Sequence, residues 1–365
     1  MRLSVKKPLR NLKADTLTQE SNLFPVSDAL MYIRSSAAVG SQGASYYLAP
    51  NPAYGATITY FMKDPIRTKR QKRQEAERAA AQKNETPPYP TIAQLREEAE
   101  EEPPALLFTI TDAEGKVVRR LNAPALPGVQ RVVWDFRYAP PVIQQAPQLP
   151  PGFEGLEGAG FGGFGPQGAL AMPGKYTVKM ARKVDGVVTE LPGAQTFNVV
   201  AEGTEGMTAA DRNALAEFQR KVSHLQRAVT GASDAASNAK TRIGLLKRAA
   251  QEAPGATANL MNEVKALDSK IDDILHALRG GRDNTDIPPP AISQRVSTIV
   301  QRIRMSAMRP TQSQLENYNI AAEEFKPVLA RLKTLVDVEM PKVEKALDAA
   351  GAPWTPGRLP DWTDK

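Results

Sequence analysis

Two periods divide the chain. Up to about residue 203, apolar side chains recur at every second position in short runs; from residue 207 they recur at every third and fourth. The first spacing belongs to half-buried β-strands and the second to amphipathic helices. In GATITYFMK (55–63), Ile58, Tyr60 and Met62 share one face of a strand. ALLFTITDAEGKVVRRLNAP (105–124) alternates through Leu106, Phe108 and Ile110 and again at Val117 and Arg119. Asp112 and Gly115 lie between and predict a tight hairpin turn. GVQRVVWDFRY (128–138) puts Val132, Trp134 and Phe136 on the buried face and turns Asp135 away from it. MPGKYTVKMARKVDGVVTELPGAQTFNVVAE (172–202) predicts a second hairpin about Asp185-Gly186 and a last strand holding Phe197 and Val199.

The helical half opens at Thr208, whose spacing to Asp211 resembles a capping box. Leu215, Phe218, Val222, Leu225 and Val229 form a first stripe, and Leu260, Val264, Leu267, Ile271, Ile274 and Leu278 a second, closed by Gly280-Gly281. A shorter helix carries Ile292, Val296, Ile299 and Ile303. A long final one carries Leu315, Phe325, Leu329, Leu332, Val336, Val343 and Leu347, with Pro341 predicting a kink. Stripes of this kind form the core of a bundle, here of four main helices, mostly antiparallel.

The expected fold class is therefore α+β and multidomain: an Ig-like antiparallel β-sandwich followed by an α-helical bundle. Residues 1–54 lack periodicity and predict an extended N-terminal arm; 55–203 form the sandwich, 207–350 the bundle and 351–365 a tail. Two insertions interrupt the sandwich. Residues 64–104 are charged and Pro-flanked, with TPPYPT inside, and suit two short exposed helices. Residues 140–171 are Pro/Gly-rich and suit a flexible surface loop.

Composition narrows the chemistry. There is no cysteine, which removes disulfides, thiolate metal sites and cysteine nucleophiles. No apolar run is long enough to cross a membrane, and the N-terminus MRLSVKKPLRNLKAD lacks the apolar segment of a signal peptide. The net charge of +7 is spread thinly, with one basic cluster, RTKRQKRQEAER (67–78). Acidic residues follow in REEAEEE (96–102), so a solvated helix is favoured over a specific nucleic-acid site. GAGFGG (158–163) matches the dinucleotide pattern in letters only, because no strand–turn–helix surrounds it.

Candidate catalytic groups are few. His224 and His276 stand on amphipathic helices, with Asp272 and Asp273 one turn before His276; a metal would require that the helices bring them together and add a further ligand. Asp135 could pair with Arg119, Arg131 or Arg137 on the outer face of its strand, and nothing predicts the cleft a general acid needs. No nucleophile elbow or P-loop is present. No residue is assigned to catalysis, to a cofactor or to a metal.

Three blocks in order, FTITDAEGKVVRRL, GVQRVVWDFRY and PGKYTVKM, resemble the Ig-like module of the flagellar hook-capping type. The wider chain, with PLRNL, NLFPVSDA, NPAYGATITYFMK and LDAAGAPWTPGRLPDW, is similar to the C-terminal part of bacterial proteins with sortilin-like (VPS10-type) or Asp-box (BNR) β-propellers, often labelled glycosyl hydrolases. The Asp-box repeat itself does not occur here, so the sialidase-like chemistry of such propellers has no residues in this sequence to carry it. The resemblance implies a non-catalytic accessory region that docks on a propeller in cis or from a neighbouring gene, or on another protein partner. It also implies an extracytoplasmic setting. The alternative it leaves is a part of a glycosyl hydrolase whose catalytic propeller lies elsewhere. Residues 1–55 expose Leu23, Phe24, Leu30, Met31, Tyr46, Tyr47 and Leu48 with little structure to bury them, which predicts an arm laid along another surface and a chain that is the tail of something larger.

Overall fold

A computed structural model describes residues 12–32, 53–86, 89–142, 168–201, 208–281, 289–305 and 308–358. The protein is mixed α/β and divides into two compact units, Met1–Ala139 with Gln167–Gly206, and Pro140–Pro166 with Met207–Lys365.

The first unit holds two sheets. Strands β1 (Ser21–Leu23), β3 (Ala56–Met62) and β6 (Gly128–Trp134) form one, in the order β1-β3-β6. The other has the order β2-β9-β7-β4-β5, from β2 (Ala29–Met31), β9 (Gln195–Ala201), β7 (Gly174–Val184), β4 (Ala105–Thr111) and β5 (Val117–Pro124), with β8 (Val187–Glu190) also on β7. Alternation turns every second side chain of each sheet into one shared core: Ile58, Tyr60 and Met62 from β3 meet Phe108, Ile110, Val178, Met180 and Phe197. Both expected hairpins form. Asp185 and Gly186 both have positive φ (51° and 78°), the backbone of a two-residue turn that matches strand twist. At the other turn the Asp112 side chain accepts the Lys116 N–H at 2.8 Å.

Three features differ from expectation. The ladder between β2 and β9 is parallel, with Ala29 opposite Val199, while the others are antiparallel. Residues 21–31 supply strands to both sheets rather than an arm apart from them. Leu23, Phe24 and Met31 are buried; the Gln195 side chain donates to the Leu23 carbonyl, and Asp28 accepts the Asn198 N–H. Leu30 stays exposed, and Tyr46, Tyr47 and Leu48 lie outside the described residues. Val132 is only half-buried because β6 is the edge of its sheet; the alternation names the inward face correctly but not how deeply each position sinks. Between β3 and β4 the chain forms α2 (Lys69–Gln82) and α3 (Ile92–Glu100), each opened by a Thr capping box, after a single-turn α1 (Ala14–Thr18) near the start.

The second unit is helical: α4 (Ala209–Glu252), α5 (Ala258–Arg279), α6 (Ile292–Met305), α7 (Gln312–Thr334), a π turn (Leu335–Glu339) and α8 (Met340–Ala349). Thr208 caps α4 by accepting the Asp211 N–H. Ion pairs fix the directions. Lys240–Asp272 and Asp234–Arg279 run α5 antiparallel to α4, and Lys270–Glu339 with Lys342–Glu263 run it antiparallel to the last segment. Arg242–Glu344 and the Phe218–Tyr318 ring contact join α4 to α7 and α8 in the same direction. The two longest segments are thus parallel to each other, while the two shorter helices return between them, so that most neighbours are antiparallel. α5 covers the later half of α4, and α6 the earlier half, where Ile299 packs on Phe218 and Val222.

α4 is also longer than its apolar stripe suggests. Past Val229 its inward positions are Ala232, Ala236 and Ala239, followed by Ile243 and Leu246. Small side chains let the helices approach closely, while GASDAASNAK resembles a polar connection in sequence. The expected bend at Pro341 takes the form of the π turn just before it. A proline there cannot donate to the carbonyl four residues back and crowds it, and the wider turn relieves both. After α8 the chain folds back: Thr355 is buried, and Arg358 donates to Asp348 at 2.6 Å and to the Glu344 carbonyl.

Candidate interaction surfaces

The WDFRY stretch at the end of β6 builds a corner of the first unit from contacts within itself and with residues 119 and 168–171. Trp134 is fully buried against Phe136, Tyr176 and Phe197, at ring separations of 5.6, 4.9 and 6.2 Å. Its indole N–H donates to the Arg137 carbonyl at 3.0 Å. Phe136 takes a positive φ of 59°, unusual for a large side chain, and this swings its ring back into the core. The turn is held by the Asp135 carboxylate, which accepts the Arg137 N–H at 3.3 Å. Arg137 donates to the Gly168 carbonyl, Tyr138 donates to Ala169, Ala171 donates to Phe136, and Arg119 reaches the Tyr138 carbonyl at 2.7 Å. Burial lowers the pKa of the Arg137 guanidinium, and the charge of Asp135 opposes that shift. Asp135 is thus a turn residue beside Arg137. Tyr176 completes the corner: its hydroxyl donates to the Met172 carbonyl, and burial pushes its pKa well above the usual phenol value.

The basic cluster 67–78 is α2 and its approach, and three of its six cations pair with carboxylates. Arg73 bridges Glu98 through two nitrogens at 2.6 and 2.9 Å and also reaches Glu77. Lys69 pairs with Glu97 and Asp185, and Arg67 with Glu75. The acidic run that follows the basic one in sequence packs on it as α3, where Glu97 and Glu98 pair with Lys69 and Arg73 and so reduce the positive charge a polyanion would meet. The GAGFGG stretch lies outside the described residues.

The two histidines do not meet. The Lys240–Asp272 and Asp234–Arg279 pairs set His276 opposite about position 236 of α4, roughly 18 Å along the axis from His224. Asp272 accepts from Lys240 at 2.7 Å and Asp273 faces Arg331, so both carboxylates pair with cations of neighbouring helices. Among the described residues no cluster of three or more His, Asp or Glu is arranged to hold a metal, and no helix is long and apolar enough to cross a membrane.

A shallow open groove of about 580 Å³ runs along the seam of α4 and α7 in the second unit. Leu225 and Phe325 form its floor, with Ala228, Ala322 and Tyr318 beside them. Arg220, Lys221 and Lys326 stand at the rim with His224 and a single carboxylate, Glu217. Lys221 donates to Glu217 at 3.0 Å, and that bond holds the Glu217 carboxyl below its usual pKa. Sequence reading gave no sign of the groove, because its two walls are about a hundred residues apart and meet only once α4 and α7 run parallel. The recognisable part was local: Arg220, Lys221 and His224 on one turn-and-a-bit of a helix otherwise striped with apolar residues.

No protein-family model matches the chain, and no curated protein matches it.

Proposed function

We propose that this chain is a non-catalytic interaction region, an Ig-like β-sandwich joined to a helical bundle, that docks on a sortilin-like or Asp-box β-propeller outside the cytoplasm. The observation that supports it best is the use made of the motif residues. Asp112 and Gly115 make a turn, Trp134 fills the core, Asp135 holds the next turn and Tyr176 ties the corner. Asp112, Trp134, Asp135 and Tyr176 are thus each engaged in building the scaffold. A buried Trp beside a Tyr hydroxyl that bonds back to an upstream carbonyl is also a habit of Ig-like sandwiches. The propeller partner rests on the sequence resemblance alone.

The competing reading, a working part of a glycosyl hydrolase, is separated by assay. The purified chain is offered aryl glycosides with and without an Asp-box propeller protein. The proposal expects no turnover by the chain alone. Turnover by the chain alone, abolished by one Asp or Glu substitution, would overturn it.

A further inference from the structure

We infer that the groove between α4 and α7 is a docking site for an acidic amphipathic helix of a partner protein. The inference rests on the reading of the chain as an interaction region and names a surface for it. The lined stretch of α4, from Glu217 to Ala228, is about 17 Å long, the length of some three helical turns. A helix laid there would set an apolar stripe on Leu225, Phe325 and Ala322, the arrangement in which a single helix fills the furrow between two others. Further along the same pair of segments, the furrow is crossed by the chain itself, where Arg358 bonds to Asp348 and the Glu344 carbonyl next to the Arg242–Glu344 pair. At the 217–228 end the described residues leave it open.

Charge selects the occupant. Three cations and one carboxylate line the groove, and that carboxylate is already bonded to Lys221. Lys326 is shared with Glu323 outside the groove, at an exposed 3.2 Å pair, which a buried partner carboxylate can displace. His224 has no hydrogen-bond partner among the described residues and adds a donor at the rim. A second copy of this chain is a poor occupant. Its acidic helix is α3, and the carboxylates there are engaged by Arg73, Lys69 and Arg96.

The test uses the full chain and two labelled helical peptides with one leucine stripe, flanked by glutamates in the first and by lysines in the second. Fluorescence anisotropy should show the acidic peptide binding at least tenfold tighter than the basic one, with the preference shrinking as salt is raised. The double variant Arg220→Glu with Lys326→Glu, both on exposed positions, should reverse the preference. Ala228→Gln, which places a longer neutral side chain in the groove, should weaken the acidic peptide without reversing it. Equal binding of the two peptides, or an unchanged preference in the double variant, would refute the site. So would self-association of the chain that Ala228→Gln abolishes. A chain that binds a propeller but ignores both peptides refutes the groove and leaves the interaction reading standing.

Discussion

Replacing Trp134 by alanine tests the packing of the first unit at its centre. The side chain is fully buried, touches Phe136, Tyr176 and Phe197, and carries one hydrogen bond to the Arg137 carbonyl. Removing a ring of this size from water accounts for roughly 200 Å², or about 5 kcal/mol at 25 cal/mol per Å². The denatured chain is itself partly collapsed, which lowers that figure, while the empty site left behind raises it. The expected cost is about 3–5 kcal/mol, and the unpaired Arg137 carbonyl places Trp134→Ala toward the upper end of that range. The assay is urea unfolding of the full chain followed by circular dichroism. A companion measurement uses iodide quenching after Trp354 and Trp362 are changed to Phe, because Trp354 is 55% exposed and would mask the signal. Trp134 should then emit in the blue and resist iodide. A loss below about 1 kcal/mol, or free quenching by iodide, would mean that the tryptophan is not in the core, and the corner would have to be read again as a binding site.

Three further predictions follow from the same contacts. Tyr176→Phe should cost about 1–2 kcal/mol at pH 8 by losing the bond to the Met172 carbonyl. Because burial raises the folded pKa of this phenol, its contribution is complete below its unfolded value of about 10 and is lost as pH rises past it. Urea midpoints of the wild type should therefore fall more steeply above pH 10 than those of Tyr176→Phe, and parallel curves would refute this role. Gly55→Ala should destabilise by at least about 2 kcal/mol, since Gly55 has φ of 134° and an added Cβ would lie 2.1 Å from the Trp134 carbonyl oxygen. Ala236→Leu should cost about 1–3 kcal/mol by forcing apart α4 and its neighbours, seen as a lowered thermal midpoint of the helical signal.

Strand positions were legible where one face is wet and one is dry. Phe108, Ile110, Trp134, Phe197 and Val199 all fall inward as their alternation requires. The turns at Asp112–Gly115 and Asp185-Gly186 were legible because their chemistry is local. What pattern could not supply was pairing at a distance. Nothing in SNLF or ALM says that these short pieces join two different sheets, one of them through a parallel ladder. The parallel course of α4 and α7 was hidden for the same reason, since an apolar stripe records burial and not the sense of its neighbour. The alanine stretch of α4 failed differently, because close approach of helices needs small residues that also suit a loop. The groove depends on all of these, and so remained out of sight until α4 and α7 stood side by side.

The central claim, that this chain is an interaction region for an Asp-box or sortilin-like propeller, is most directly tested by sedimentation velocity on the full chain mixed with such a propeller protein from the same genome. The account predicts a stoichiometric complex, saturable at micromolar concentration or below and retained when Asp135 is changed to Asn. Two species that sediment independently at every ratio would contradict it.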